Sequence, residues 1–171
     1  MSQGIDLYYE VENIEHHCHG RARWFGISAD QSGNDWAADT LNPFTAISGA
    51  ADYGSDANDE AKCLGTDDTP IITGQAYFDF HQILVVGVTE DTEYKLRIVY
   101  GTGTMAAAIA AGQYTETMVK FDSTNPQLSA GVPVDVMMPR LATDTKVWLQ
   151  CKNDTNNADI DFFIGIHGYS R

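Results

Sequence analysis

Over the C-terminal part of this chain apolar and polar residues alternate at every second position, the period of a strand with one buried face. Tyr94-Lys-Leu-Arg-Ile-Val-Tyr100 alternates cleanly, and Lys146-Val-Trp-Leu-Gln-Cys-Lys152 follows the same rule. Ile160-Asp-Phe-Phe-Ile-Gly-Ile-His167 is different, because both of its faces carry apolar residues. One face would hold Ile160, Phe162, Ile164 and Ile166; the other would hold Asp161, Phe163, Gly165 and His167. A strand that wants cover on both sides predicts a sheet packed on a partner sheet and also against another chain. Gln75–Val88, Gln113–Phe121, Val134–Met138, Lys146–Asn153 and Ile160–Tyr169 complete the set of later strands, with Arg21–Ser28 as a first core strand. Turn residues recur between them: Thr89–Thr92, Gly101, Gly103, Gly112, Asn125-Pro126, Gly131, Asp144 and the polar run Asn153–Asp159. That cadence predicts a sandwich or barrel, not an α/β fold. Thr104–Ala111, bounded by glycines, is the one helical candidate and is long enough for only a short decoration of a loop. Trp148, in the middle of an alternating run, is expected inside the sandwich.

The first 74 residues look different. Residues 1–20 read as an extended arm or edge strand, with Ile5, Leu7, Tyr9 and Val11 as alternate apolar positions. An arm with so little apolar surface is expected to pack on a neighbouring subunit or a larger target. Residues 29–74 are dominated by Asp, Asn, Gly and Ser and are expected to be largely irregular and peripheral. Short strands or turns are expected within them at Phe44–Ile47 and Ala61–Leu64. The organisation is therefore an arm over 1–20 and one domain over 21–171, with 29–74 as an irregular insertion.

Composition narrows the function. The net charge is −14, with 24 acidic residues against 10 Lys and Arg, which argues against nucleic-acid binding. No apolar run reaches the roughly 18 residues that a membrane-spanning helix needs. The start, Met-Ser-Gln-Gly-Ile-Asp, has no basic and apolar leader pattern, so no signal peptide is expected. Cys18, Cys63 and Cys151 are odd in number and lack zinc spacing, which points to reduced thiols. Asn153-Asp-Thr155 fits a glycosylation sequon, but without a secretion signal it is set aside.

Three segments together resemble the jelly-roll domains of the tumour necrosis factor and C1q-like superfamily. Gly74–Val86 is similar to their long aromatic-rich central strand, Lys146–Cys151 to their penultimate strand, and Phe162–Ile166 to the last strand that lines a trimer axis. The resemblance implies an all-β jelly-roll sandwich that forms a homotrimer, with Tyr77, Asp79, His81, Phe163, Gly165 and His167 at the subunit interface. Jelly rolls of this kind also occur as trimeric decoration modules on tailed-phage particles. By that analogy the expected role is a virion cement protein bound to the major capsid protein, made in the host cytoplasm, with Ile5, Leu7, Tyr9 and Val11 gripping the shell.

Other residues offer candidate chemistry. His16, His17, Cys18 and His19 are soft ligands, and His81 or His167 could complete a cupin-like metal site. Glu15-His-His-Cys-His is followed by Gly-Arg-Ala-Arg, not by the carboxylate a cupin requires. The acidic Asp52–Glu60 loop offers oxygen ligands without an EF-hand pattern. No nucleophile elbow or phosphate loop is present. The expectation is a binding protein with no cofactor and no catalysis. Its rivals are a receptor- or carbohydrate-binding tail tip using exposed Trp36 and Tyr53, and a metal-dependent cupin.

Overall fold

The longer strands lie where the period-2 runs lie, while the strand expected at Val134–Met138 starts at Val132 and stops at Asp135. The computed structural model describes residues 23–27, 36–48, 53, 60–61, 75–90, 92–121, 131–155 and 158–169. Among them the strands are β1 (Arg23–Ile27), β2 (Trp36–Ala38), β3 (Phe44–Ile47), β4 (Glu60–Ala61), β5 (Tyr77–Val88), β6 (Glu93–Gly101), β7 (Tyr114–Lys120), β8 (Val132–Asp135), β9 (Leu141–Ala142), β10 (Lys146–Asn153) and β11 (Asp159–Tyr169). One helix, α1 (Met105–Ala110), sits between β6 and β7 and is capped by the Thr104 hydroxyl, which accepts from the Ala107 amide. The larger sheet runs β2-β1-β11-β5-β8, with β3 beside β11 and β9 beside β5. The smaller sheet runs β4-β10-β6-β7. The fold is an all-β sandwich.

The two inner faces fill the space between the sheets. Phe25, Phe78, Phe80, Ile83, Val85, Ile160, Phe162, Ile164 and Ile166 come from the larger sheet. Tyr94, Leu96, Ile98, Val119, Val147, Leu149 and Cys151 come from the smaller one. The apolar face read from Ile160 to Ile166 is therefore the inner face of β11. Its pairing with β5 slips twice, between Asp161 and Phe162 and between Gly165 and Ile166. Each slip places an extra β5 residue, Val86 or His81, opposite no partner. Inward residues of β5 consequently run Phe78, Phe80, then Ile83, Val85, with a three-residue step across the bulge at His81. The two-sided apolar look of Tyr77–Val86 partly reflects this change of face.

Three expectations are corrected. Trp148 is only half-buried, because Val147 and Leu149 take the inward positions and the alternation turns Trp148 outward opposite Val99. Trp36, expected on the surface, is 6% exposed and packs its ring 4.2 Å from that of Phe44, which in turn lies 5.9 Å from Phe162. The stretch 29–74 is thus not wholly peripheral: β2 and β3 belong to it, and Phe44 and Ala46 are buried in the core. β3 lies where a short element was expected, at Phe44–Ile47, whereas the three residues of β2 carry too few alternations for the pattern to stand out.

β10 and β11 are consecutive in the chain yet lie in opposite sheets, as do β5 and β6. Both crossings fall at one end of the sandwich and are tied together by hydrogen bonds. The buried Ser48 hydroxyl donates to the Thr155 carbonyl at 2.9 Å and accepts from the Ala158 amide at 3.1 Å. The Asn153 amide donates to the Glu93 carbonyl at 2.9 Å, and the Thr89 hydroxyl accepts from the Asp159 amide at 2.8 Å. Asn153 is 2% exposed, so the sequon residue is part of this clasp.

Candidate functional site

Outward positions of β11 and β5 form one face of the larger sheet. The register sets Tyr169 opposite Tyr77, His167 opposite Asp79, Gly165 opposite Gln82 and Phe163 opposite Leu84. All six residues expected at a subunit interface therefore share this face. Tyr77, His81 and Phe163 are partly accessible, and Val86, at the second bulge, is 37% exposed. Gly165 and His167 are buried within the chain itself and back the surface instead of presenting it. An added methyl at Gly165 would stand 3.5 Å from both the Trp24 ring and the His81 ring, so these two side chains roof the strand.

A polar cluster sits within the face. Tyr169 donates its hydroxyl proton to Asp79 Oδ2 at 2.8 Å, while Asp79 Oδ1 lies 3.6 Å from His167 Nδ1. The imidazoles of His167 and His81 stack with centroids 4.1 Å apart. The Arg140 guanidinium lies 3.9 Å above the Tyr169 ring. Burial, and then the Asp79 carboxylate beside it, push the Tyr169 hydroxyl up to about 12. The group is thus a neutral hydrogen-bond donor that holds Asp79 in place. The inner-face apolar residues of β11 pull the strand into the core, and alternation delivers Asp79, His167 and Tyr169 to this side.

The outer face of the smaller sheet has another character. Arg97 lies between two aromatic rings, 3.7 Å from the Tyr53 centroid and 4.5 Å from that of Tyr114. Its Nε and Nη2 both donate to Glu116 Oε1, at 2.9 and 2.7 Å, from the neighbouring strand. Burial works against the Glu116 carboxylate, but Arg97 and the Tyr53 hydroxyl outweigh it and lower its pKa. Burial and the nearby Glu116 raise that of Tyr53. Lys95, Lys120, Lys146 and Lys152 occupy outward positions of the same sheet. Five of the ten Lys and Arg residues of an acidic chain thus stand on one face. This grouping was legible in the alternation of Tyr94–Tyr100, but only once β6, β7 and β10 are known to be neighbours.

Other candidate residues separate. Ile5, Leu7, Tyr9, Val11, His16, His17, Cys18 and His19 lie outside the described residues, as does most of Asp52–Glu60. His81 and His167, the suggested distant metal ligands, are stacked on each other. Among the described residues no three His, Cys, Asp or Glu side chains come together as a metal site.

These features define an all-β sandwich with two dissimilar outer faces, one aromatic and acidic, the other aromatic and basic. No protein family, curated protein or solved structure matches the chain.

Proposed function

We propose that this chain is a structural binding protein: a jelly-roll homotrimer that decorates or cements a phage capsid by binding the major capsid protein. The observation that carries the assembly is the outer face of β5 and β11. Phe163, Leu84, Val86, Tyr77 and Trp24 lie along it, on the side turned away from a core that is already complete. Tyr77 and Val86 are exposed and the other three half-buried, an apolar row of the kind that marks an interaction surface. Strand order supports the jelly roll. Read side by side, β1-β11-β5-β8 and β4-β10-β6-β7 place chain neighbours at three of four corresponding positions, β11 with β10, β5 with β6 and β8 with β7, as in a long antiparallel ribbon rolled up. The step from trimer to phage shell rests on the resemblance to the tumour necrosis factor and C1q-like jelly rolls and on the acidic, cysteine-poor composition.

Light scattering on the purified chain tests the assembly. We expect the mass of three 18.7 kDa chains. Phe163→Asp should reduce this to one chain with the melting temperature largely kept, because a lone carboxylate buried at an interface costs several kcal/mol while the same residue at a free surface does not. A single-chain mass for the unaltered protein rejects the trimer. Co-sedimentation with undecorated phage shells tests the target.

The outer face of the smaller sheet favours a second reading, a receptor- or glycan-binding tip. Tyr53, Tyr114 and Trp148 would serve it, not Trp36, which is in the core. Copy number per particle separates a cement from a tip.

A further inference from the structure

Among the described residues the smaller sheet ends on a strand with no partner on its far side. Natural sandwiches blunt their edges by shortness, proline, bulges or charged side chains. Among the described edge strands, β2 has three residues, β3 four, and β4 and β9 two each. β8 has four and carries Pro133. β7 is the exception: seven residues, no proline, and no slip in its register with β6. The Phe121 amide bonds to the Thr92 carbonyl and the Tyr100 amide to the Gln113 carbonyl. Alternation along an antiparallel ladder then directs the odd residues of β7 at β6 and leaves the N–H and C=O of Tyr114, Glu116, Met118 and Lys120 on the open side. The neighbouring 136–140 segment meets β7 through the Thr115 hydroxyl, which donates to the Met137 carbonyl at 3.0 Å. No backbone hydrogen bond joins the two among the described residues.

The surroundings of this edge select for charge. The outward row of β7 is Tyr114, Glu116, Met118 and Lys120, with Glu116 already paired to Arg97; Lys95 stands one strand in, across from Met118, and opposite Lys152 of the strand beyond. Lys120 lies at the end of the open strand on the same side. On the inner side β7 presents the half-buried Thr115 and Thr117 and the buried Val119, with the buried Phe121 just past its end. The fitting occupant is an extended segment with apolar residues on one side and acids on the other. The chain contains one: in Ile5-Asp-Leu-Tyr-Tyr-Glu-Val-Glu12, Ile5, Leu7, Tyr9 and Val11 alternate with Asp6, Tyr8, Glu10 and Glu12.

We infer that β7 is a strand-acceptor edge, and that its occupant is the segment Ile5–Glu12 of a second copy of this chain. Main-chain hydrogen bonds would supply the affinity, the apolar row would extend the core beside Val119, and the acids would lie nearest Lys120, with Lys95 one strand further in. The subunits would then be linked by exchanged strands, a contact separate from the outer face of β5 and β11.

Hydrogen exchange resolved by NMR on the full chain tests this. The amides of Tyr114, Glu116, Met118 and Lys120 should exchange at least about tenfold more slowly than open-edge amides do. In a full-length variant with Leu7→Pro and Val11→Pro, which cannot pair as a strand, those four should lose protection while Thr115, Thr117 and Val119 keep theirs. Labelled variant mixed with unlabelled unaltered chain should regain it, which only donation between copies allows. Met118→Pro should block acceptance without breaking β7 from β6, because the Met118 N–H faces the open side. Fast exchange at the four amides in the unaltered chain overturns the inference. So does protection that survives the double proline variant, that does not return on mixing, or that forms only when phage shells are added. Repeating the mixing with Phe163→Asp in both chains separates the two proposals: exchange of strands should persist there even if the threefold assembly is lost or never formed.

Discussion

At the scale of single residues, the most consequential groups are polar ones that the fold has buried. Ser48 is fully buried, and its hydroxyl serves the Thr155 carbonyl and the Ala158 amide together. Removing it strands a donor and an acceptor in a place that water does not reach. Ser48→Ala should therefore cost about 2 kcal/mol in chemical denaturation, although the lost oxygen is a single atom. A loss below a few tenths would mean that the clasp around β10 and β11 opens without it. Tyr169 gives a second prediction. Folded, it holds its proton to about 12; unfolded, it releases it near 10. Between those values the folded chain binds the extra proton, so stability falls as the pH rises from about 10 to 12 and is untouched below. The contribution is on the order of 2 kcal/mol. Asp79→Asn should bring the tyrosinate titration of Tyr169 down toward the ordinary value without reaching it, since burial is the larger cause. An unmoved midpoint would show that Asp79 has no part in it.

At the scale of elements, the sequence carried most of the strands because their inner faces are strictly periodic. β6, β10 and β11 coincide with runs where every second residue is apolar, and no bulge interrupts β6, β7 or β10. Two things were not legible. The period of β5 breaks twice, at His81 and Val86, and a bulge is set by the pairing partner, not by the strand's own residues. Which sheet a strand joins is also a property of its neighbours, so the outer cluster of Asp79, His81, His167, Tyr169 and Arg140 could be named only in part: Arg140 reaches it from outside any strand. The misjudgement of Trp148 shows the same limit. Period 2 says that Trp148 and Val147 face opposite ways; it does not say which way is in. Its place in the alternating run pointed to the tryptophan, but three smaller residues, Val147, Leu149 and Cys151, settle β10 with their side inward. Leu149→Ala should accordingly destabilise the chain by about 2–5 kcal/mol, as a cavity in a packed core does. Trp148→Ala should cost clearly less despite removing more atoms. If the order of the two melting temperatures is reversed, β10 has been assigned the wrong face.

At the scale of the whole molecule, charge and assembly pull in opposite directions. With a net charge of −14 and a pI near 4.4, the chain repels itself at neutral pH, and so would any three copies brought together. The cations are not spread to relieve this. Half of them stand on the smaller sheet, with Lys120 on the β7 edge where an incoming acidic strand would be drawn and Lys95 one strand in. Salt separates the two effects. Screening at physiological ionic strength acts over about 8 Å, so it relieves the diffuse repulsion of the fold while weakening a local contact between exposed Lys and Asp or Glu side chains. Raising sodium chloride from a few millimolar to this range should raise the melting temperature of Phe163→Asp, in which the assembly face is disabled. The same change should speed exchange at the Tyr114, Glu116, Met118 and Lys120 amides of the unaltered chain, and Lys120→Glu should abolish that dependence. A melting temperature that falls with salt would mean that local ion pairs such as Arg97 with Glu116 outweigh the net charge. Edge amides indifferent to salt would mean that the lysine face does not draw the strand.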